Sequence, residues 1–343
     1  MDLHTKAYLL SIGTIDVDLP KSDKPGQTST SGPGAGGHSI FFQSGDHLVR
    51  LSIVSGSPLR LRLERRDEGH DERHDEGHDG GQGEVAVILQ GDRLLAKGHL
   101  VQPLSHCPEQ AYITISERCI FDCKFCAVPK MMGEAKSSER VMEIVESCHA
   151  TGKLKAISLT SGVEFSPREE ALRVAGMVRV LLRFGVPIGV SVCPFPGVNQ
   201  ILKEAGAAEV KYNIETFDPE IFRQVCPGMS MDEIKSALKE AVGVFGRNHV
   251  FTNVIVGLGE SDQTMRQGID EMAEIGVLPV LRAVYPHPLR VGETEMNRPS
   301  AERMQSHAWY AREAFDRHGL RGDLALTMCY RCTGCDLVPH RDL

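Results

Sequence analysis

Ten cysteines stand at positions 107, 119, 123, 126, 148, 193, 226, 329, 332 and 335, and six of them form two tight triplets. Disulfides would spread them more evenly, so the grouping points to metal or redox chemistry. Cys119, Cys123 and Cys126 are spaced C-x3-C-x2-C in ERCIFDCKFCAVP. Three thiolates on one short loop can hold three irons of a [4Fe–4S] cube, leaving the fourth iron open to a substrate or cofactor. A structural zinc site prefers four ligands, usually in C-x2-C pairs, and this spacing does not match. Cys329, Cys332 and Cys335 are spaced C-x2-C-x2-C in TMCYRCTGCD, which suits a second iron–sulfur cluster, a zinc knot or a capping cluster without chemistry.

The elements that must position them follow from hydrophobic patterning. From Ala111 onward, short apolar runs near 111–116, 155–161, 187–193, 208–214, 250–256, 278–284 and 323–328 read as strands. Amphipathic stretches near 137–150, 167–184, 197–205, 230–245, 262–275 and 300–318 read as helices between them. This alternation predicts a parallel α/β barrel, partial or complete, and no G-x-G-x-x-G follows the first strand to favour a dinucleotide fold. The first triplet follows strand one, on the face where barrels build active sites. The second follows the expected seventh strand, which would bring it out on that same face. Side chains alternate along a strand, so Thr114 and Ser116 share a face, as do Ser158 and Thr160, Gly189, Ser191 and Cys193, and Lys211, Asn213 and Glu215. So many inward polar groups predict a solvated cavity.

A cube usually takes a fourth ligand. Cys193, ending strand three on the polar face, or an open iron is preferred for the second triplet; Cys107 precedes strand one, near the opposite end of the barrel. Cys148 lies in a predicted helix and reads as core, and Cys226 as structural.

The chain has 343 residues with 38 basic and 46 acidic side chains, a net charge of −8. Net acidity without a basic stripe argues against nucleic acid as main partner. No run of 18 apolar residues predicts a membrane span, and no signal peptide is recognisable, so a cytoplasmic location is expected. Residues 1–104 form a β-rich extension, with runs at 7–11, 38–43, 47–54, 85–90 and 93–99. Two stretches, 20–37 and 64–83, have the composition of solvated loops. The second holds the near-repeat DEGH-DERH-DEGH, in which His70, His74 and His78 could share a helix face and bind a metal weakly. The barrel is expected over 105–322, and a C-terminal strand with the auxiliary cluster segment over 323–343.

The C-x3-C-x2-C spacing, Phe125 before the last cysteine and the place after strand one resemble the radical S-adenosylmethionine superfamily, over Ala111–Ala283. That resemblance implies a (βα)6–8 barrel, a [4Fe–4S] cluster and S-adenosylmethionine, whose reductive cleavage yields a 5′-deoxyadenosyl radical. It implies cofactor contacts at Phe125, at Thr160, Ser161 and Gly162 after strand two, at Asn213 and Glu215 in N-I-E-T, at Ile255 and Gly257 in N-V-I-V-G-L-G-E, and at Arg282. The strand-two stretch departs from the family's Gly-Gly-Glu, leaving Glu164 unassigned, and Asn253 replaces the first Gly of the strand-five pattern.

N-I-E-T is similar to lipoyl synthases and V-G-L-G-E to biotin synthase. The resemblance therefore implies a sulfurtransferase that inserts sulfur at unactivated carbon in cofactor biosynthesis, donating it from an auxiliary cluster. The archaeal two-component lipoyl synthases are the nearest type. Implied partners are an electron donor such as ferredoxin or flavodoxin, an acyl-carrier protein substrate and a paralogous radical SAM protein. Lipoyl synthases of the common type carry their auxiliary cysteines ahead of the barrel and end in Arg-Ser-Ser-Tyr, and neither feature is present. Two other readings stay open: a radical SAM methylase or carbon-skeleton enzyme whose second cluster conducts electrons, and a non-catalytic iron–sulfur carrier or scaffold.

Overall fold

The computed structural model describes residues 1–17, 27–28, 38–65, 84–131 and 133–343. Of the two expected loops, 20–37 is described only at Gln27–Thr28 and 64–83 only at its first two residues; the histidine repeat lies outside the described residues.

The chain opens with a helix, α1 (Leu3–Ile12), where a strand was expected over 7–11. A short apolar run does not distinguish the two by periodicity. The caps decide it. Asp2 accepts the Thr5 N–H at one end, and Gly13, at φ 68°, donates its N–H to Leu9 O at the other. Seven strands follow: β1 (Thr14–Val17), β2 (Gln27–Thr28), β3 (His38–Ser44), β4 (His47–Ile53), β5 (Leu59–Arg65), β6 (Glu84–Gln90) and β7 (Arg93–Leu100). They are ordered β2-β3-β4-β1-β5-β6-β7, and β3 also pairs with β7. Six strands thus close into a small barrel, with β2 hanging from β3, and closure leaves few unpaired edges. In β5, Leu59 and Leu61 point inward between outward arginines, an alternation that marks the strand.

The second sheet holds β8 (Gln110–Thr114), β9 (Ala156–Thr160), β10 (Ile188–Ser191), β11 (Glu209–Lys211), β12 (Val250–Val256) and β13 (Leu278–Ala283). All are parallel, in chain order from β8 to β13, and no β8–β13 pairing is present among the described residues. The result is an open (βα)6 barrel. The helices on its outside are α2 (Ser138–Ala150), α3 (Pro167–Leu181), α4 (Val198–Ala205), α5 (Pro219–Val225), α6 (Met231–Phe245), α7 (Asp262–Ile275) and α8 (Ala301–Arg317). Ser137, Ser166, Ser230, Ser261 and Ser300 each cap a helix by accepting a backbone N–H of its first turn. Among the described residues no helix is long and apolar enough to cross a membrane.

The expected seventh strand over 323–328 does not form. Gly322–Leu324 makes a 3-10 turn, the chain then runs extended, and a short helix α9 (Met328–Cys332) follows. The cause is Glu209, fully buried at the start of β11. Its carboxylate accepts the Leu326 N–H (2.8 Å), the Thr327 N–H (2.8 Å) and the Thr327 hydroxyl (2.6 Å), donors that a strand would use on its neighbour. Gln110 Nε2 donates to Met328 O, and the Met328 N–H donates to Ser158 Oγ. A Cβ at Gly189 would come within 2.1 Å of Thr327 Oγ1, so only glycine admits the segment. The C-terminal segment thus crosses the N-terminal ends of the strands and plugs the barrel from below. Glu209→Ala leaves the Thr327 N–H and hydroxyl buried and unpaired, at about 1–3 kcal/mol each, and also frees the half-buried Leu326 N–H. The expected result is a lower urea midpoint, with metal at the second triplet lost before global unfolding. Unchanged metal content and midpoint would contradict this role.

Candidate functional site: two cysteine triplets on one cavity

The first triplet lies on the loop after β8, at the C-terminal end of the barrel. Neighbours pin this loop backbone to backbone: the Ile120 N–H donates to Val163 O (2.7 Å) and the Lys124 N–H to Val225 O (2.8 Å). Fully buried Arg290 donates from Nε to Cys126 O (2.6 Å) and pairs with Asp122 (2.7 Å) and Glu293 (2.6 Å). Phe125 is buried beneath the loop. Burial pushes the Cys126 thiol up to about 12 and raises Cys119. Cys193 is also pushed up to about 12, by burial first and then by the charges of Cys119 and Cys123. It therefore belongs to this end of the barrel. Cys226, expected to be structural, is buried, and its nearness to Cys123 raises its thiol, so it too backs the first triplet. Cys148 is buried in α2, as expected of a core residue.

The second triplet rises from the opposite end, carried by α9 and the turn after it, rather than from the face expected. Thr333 sits at φ 57° and donates its N–H to Cys329 O. The N-terminal module holds this turn from outside. Lys6 Nζ donates to Thr333 O (2.8 Å), and the Arg50 N–H in β4 donates to Gly334 O (2.6 Å). Lys6 also pairs with Asp342 (2.6 Å) in full burial, and His47 Nδ1 lies 3.1 Å from that carboxylate.

Both triplets line one cavity of about 310 Å3 along the barrel axis. Among the expected cofactor residues, Phe125, Thr160, Ser161, Gly162, Asn213, Glu215, Ile255 and Arg282 line it. Gly257 and Glu164 do not. Gly257, at φ 114°, packs against Asn297 O and donates its N–H to Glu260. Glu164 is bound between Arg118 (3.0 Å) and Arg173 (2.9 Å). Ser161 Oγ accepts the Ser116 N–H and donates to Glu170, while a Cβ at Gly162 would meet Arg118 O at 2.2 Å. Glu215, at φ 63°, accepts from Asn253 Nδ2 (2.8 Å), and burial raises its carboxyl.

Sequence reasoning did not single out Arg50, His106, Tyr112 or Asp336 on this cavity, and it set Cys107 aside. Lys211 was legible as an inward polar strand residue. Arg50 and His106 arrive from outside the barrel and left no local signal. Arg282 reaches into the cavity. It donates to Asp336 from Nε (3.0 Å) and Nη2 (2.7 Å) and from Nη2 to Cys329 Sγ (3.3 Å). Lys211 Nζ lies 3.9 Å from the same sulfur. Burial holds His106 down to about 3, leaving it neutral.

The site accommodates polar cofactors. Thr114 Oγ1, Asn213 Oδ1 and Asn253 Oδ1 are buried on the cavity without partners, and such atoms are costly unless a ligand or water satisfies them. Among the described residues no three His, Cys, Asp or Glu side chains converge as ligands of one metal ion. A cube takes one thiolate at each of several separate corners, so its ligands need not converge on a point.

Residues 113–272 match the model of the Radical SAM superfamily. Lipoyl synthase of Glaesserella parasuis serovar 5 (strain SH0165) is 26% identical over 179 residues, covering 50% of this chain and 55% of that protein. The chain thus spans about half the length of that curated relative. Crystal structures of methylornithine synthase (18% identical, TM-score 0.52, covering 62% of this chain and 63% of that one) and of a radical SAM methyltransferase from Sphaerobacter thermophilus (17%, 0.50, 71% and 68%) share the fold.

Proposed function

We propose that this radical SAM enzyme inserts sulfur at an unactivated carbon, in the manner of a lipoyl or biotin synthase. The observation that carries the reading is the single cavity reached by one triplet from above and by the other from below. A [4Fe–4S] cluster held by Cys119, Cys123 and Cys126 would supply the electron for reductive cleavage of S-adenosylmethionine, and a cluster at the second triplet would supply sulfide, each C–S bond replacing a C–H bond whose hydrogen goes to the 5′-deoxyadenosyl radical while one electron passes to that cluster's iron. The chain's own residues do the positioning. Thr160, Ser161 and Gly162 border the cofactor beside the first triplet, and Asn213, Glu215 and Ile255 face it from β11 and β12. Ferredoxin or flavodoxin is the expected reductant, and an acyl group on a carrier protein is the expected substrate. The partial match to a lipoyl synthase supports this choice over methyl transfer.

The test is isotopic. Enzyme whose second site is reconstituted with labelled sulfide, and whose medium holds unlabelled sulfide, is expected to pass the label to product and to lose that cluster in turnover. A second cluster that persists through many turnovers would replace this reading with electron conduction.

A further inference from the structure

Cys107 is the unexpected member of the lower site. It lies in the linker between the two modules, is buried, and forms an isolated bridge with Gln110 at the start of β8. Gln110 reaches up to Met328 O, the residue before Cys329, so one short stretch of chain brings Cys107 beside the second triplet. Cys107, Cys329, Cys332 and Cys335 line the same cavity. Cys193, favoured from strand alternation, has its Sγ turned to Pro194 O (3.9 Å) among the upper cysteines. Alternation located Cys193 on the correct face of its strand, but the second triplet enters from the other end.

The charges around the lower site are also defined. Arg282 contacts Cys329 and Asp336, Lys211 contacts Cys329, and Arg50 lines the same cavity with its charge felt at Cys332 and Cys335. Three cations face the carboxylates of Asp336 and Glu215, so the environment is net positive. Free thiols, being neutral, do not meet that charge, whereas a cube with four thiolates, carrying a net charge of about −2, does.

We propose that Cys107, Cys329, Cys332 and Cys335 form a closed four-thiolate [4Fe–4S] site, with Lys211 and Arg282 donating to the Cys329 sulfur at the corner that faces the cavity. The proposal rests on reading the second triplet as an iron–sulfur site, but not on sulfur transfer. A closed site has no open iron, so substrate meets this cluster through its sulfides rather than through a vacant coordination position. Hydrogen bonds and positive charge at a ligand sulfur raise a cluster's reduction potential. Lys211 and Arg282 are therefore positioning residues for the corner nearest the substrate.

The test uses the full chain with Cys119, Cys123 and Cys126 changed to Ala, so that the lower site is observed alone after anaerobic reconstitution with iron and sulfide. About four irons per chain are expected, with an EPR signal on reduction. Adding Cys107→Ala is expected to remove more than half of the iron. Cys107→Ser, which keeps volume and a weaker ligand, is expected to retain fold and iron but change the EPR spectrum. Cys193→Ala is expected to leave iron count and spectrum as they were. Lys211→Met is expected to keep the iron and move the potential to more negative values. Full iron with an unchanged spectrum in both Cys107 variants overturns the four-cysteine site, as does iron loss in Cys193→Ala, or zinc in place of iron. An unshifted potential in Lys211→Met overturns its role at Cys329. If the site passes while labelled sulfide never reaches product, sulfur insertion fails and this assignment stands.

Discussion

Replacing Cys119, Cys123 and Cys126 by Ala is expected to abolish formation of 5′-deoxyadenosine while the second site still binds iron. The upper loop supplies all three thiolates, and each nearby substitute is otherwise engaged. Cys226 is buried at the end of α5, and Cys193 lies in the extension of β10 with its Sγ turned to Pro194 O (3.9 Å), so neither can take a place on the loop. The loop fold does not depend on the sulfurs. Its backbone is held by Val163, Val225 and Arg290. The measurement is product formation from S-adenosylmethionine with a chemical reductant, together with circular dichroism and iron counts. Retained 5′-deoxyadenosine in a folded triple variant would remove the upper triplet from the chemistry.

Lys6→Met carries the second large effect, and it lies far from the upper loop. The Lys6 ammonium and the Asp342 carboxylate are both buried. Removing one member of such a pair strands the other charge, a cost of about 3–5 kcal/mol. Burial by itself lowers the Lys6 pKa, while Asp342 holds the charged form. The Thr333 carbonyl loses its donor in the same step, so the turn between Cys332 and Cys335 loosens. A drop in the urea midpoint with early release of the lower-site metal is expected. The double variant Lys6→Met, Asp342→Leu is expected to recover much of the stability without the Thr333 hydrogen bond, and so to separate folding from metal retention. Equal stability of Lys6→Met and the unaltered chain would show that the pair contributes nothing.

Much of this was legible in the sequence where the determinants are local. The six parallel strands and their helices follow from apolar runs and amphipathic faces. Polar inward positions such as Thr114, Lys211 and Asn213 announced a cavity because alternation along a strand is rigid. The errors came where a distant group decides. Residues 323–328 have a strand's composition, yet Glu209, more than a hundred positions earlier, takes their backbone donors. The 7–11 run became helical through Asp2 and Gly13 at its ends. The second triplet was expected on the face of the first because strand seven was expected to form, and it enters the cavity from the opposite end instead. Nothing in one strand's pattern reports where another segment will cross.

The grip of Lys6 on Thr333 and Asp342 also fixes an order of events during synthesis. These partners are 327 and 336 residues apart in the chain. The small N-terminal barrel can leave the ribosome and close its strands long before residue 342 is made, but with a buried ammonium still lacking its counter-charge. The lower site, which needs Cys107 from the linker and three cysteines beyond residue 328, is completed in the same late step. If both triplets take iron as proposed, the upper one is available first, and maturation of the two sites is separated in time by translation itself.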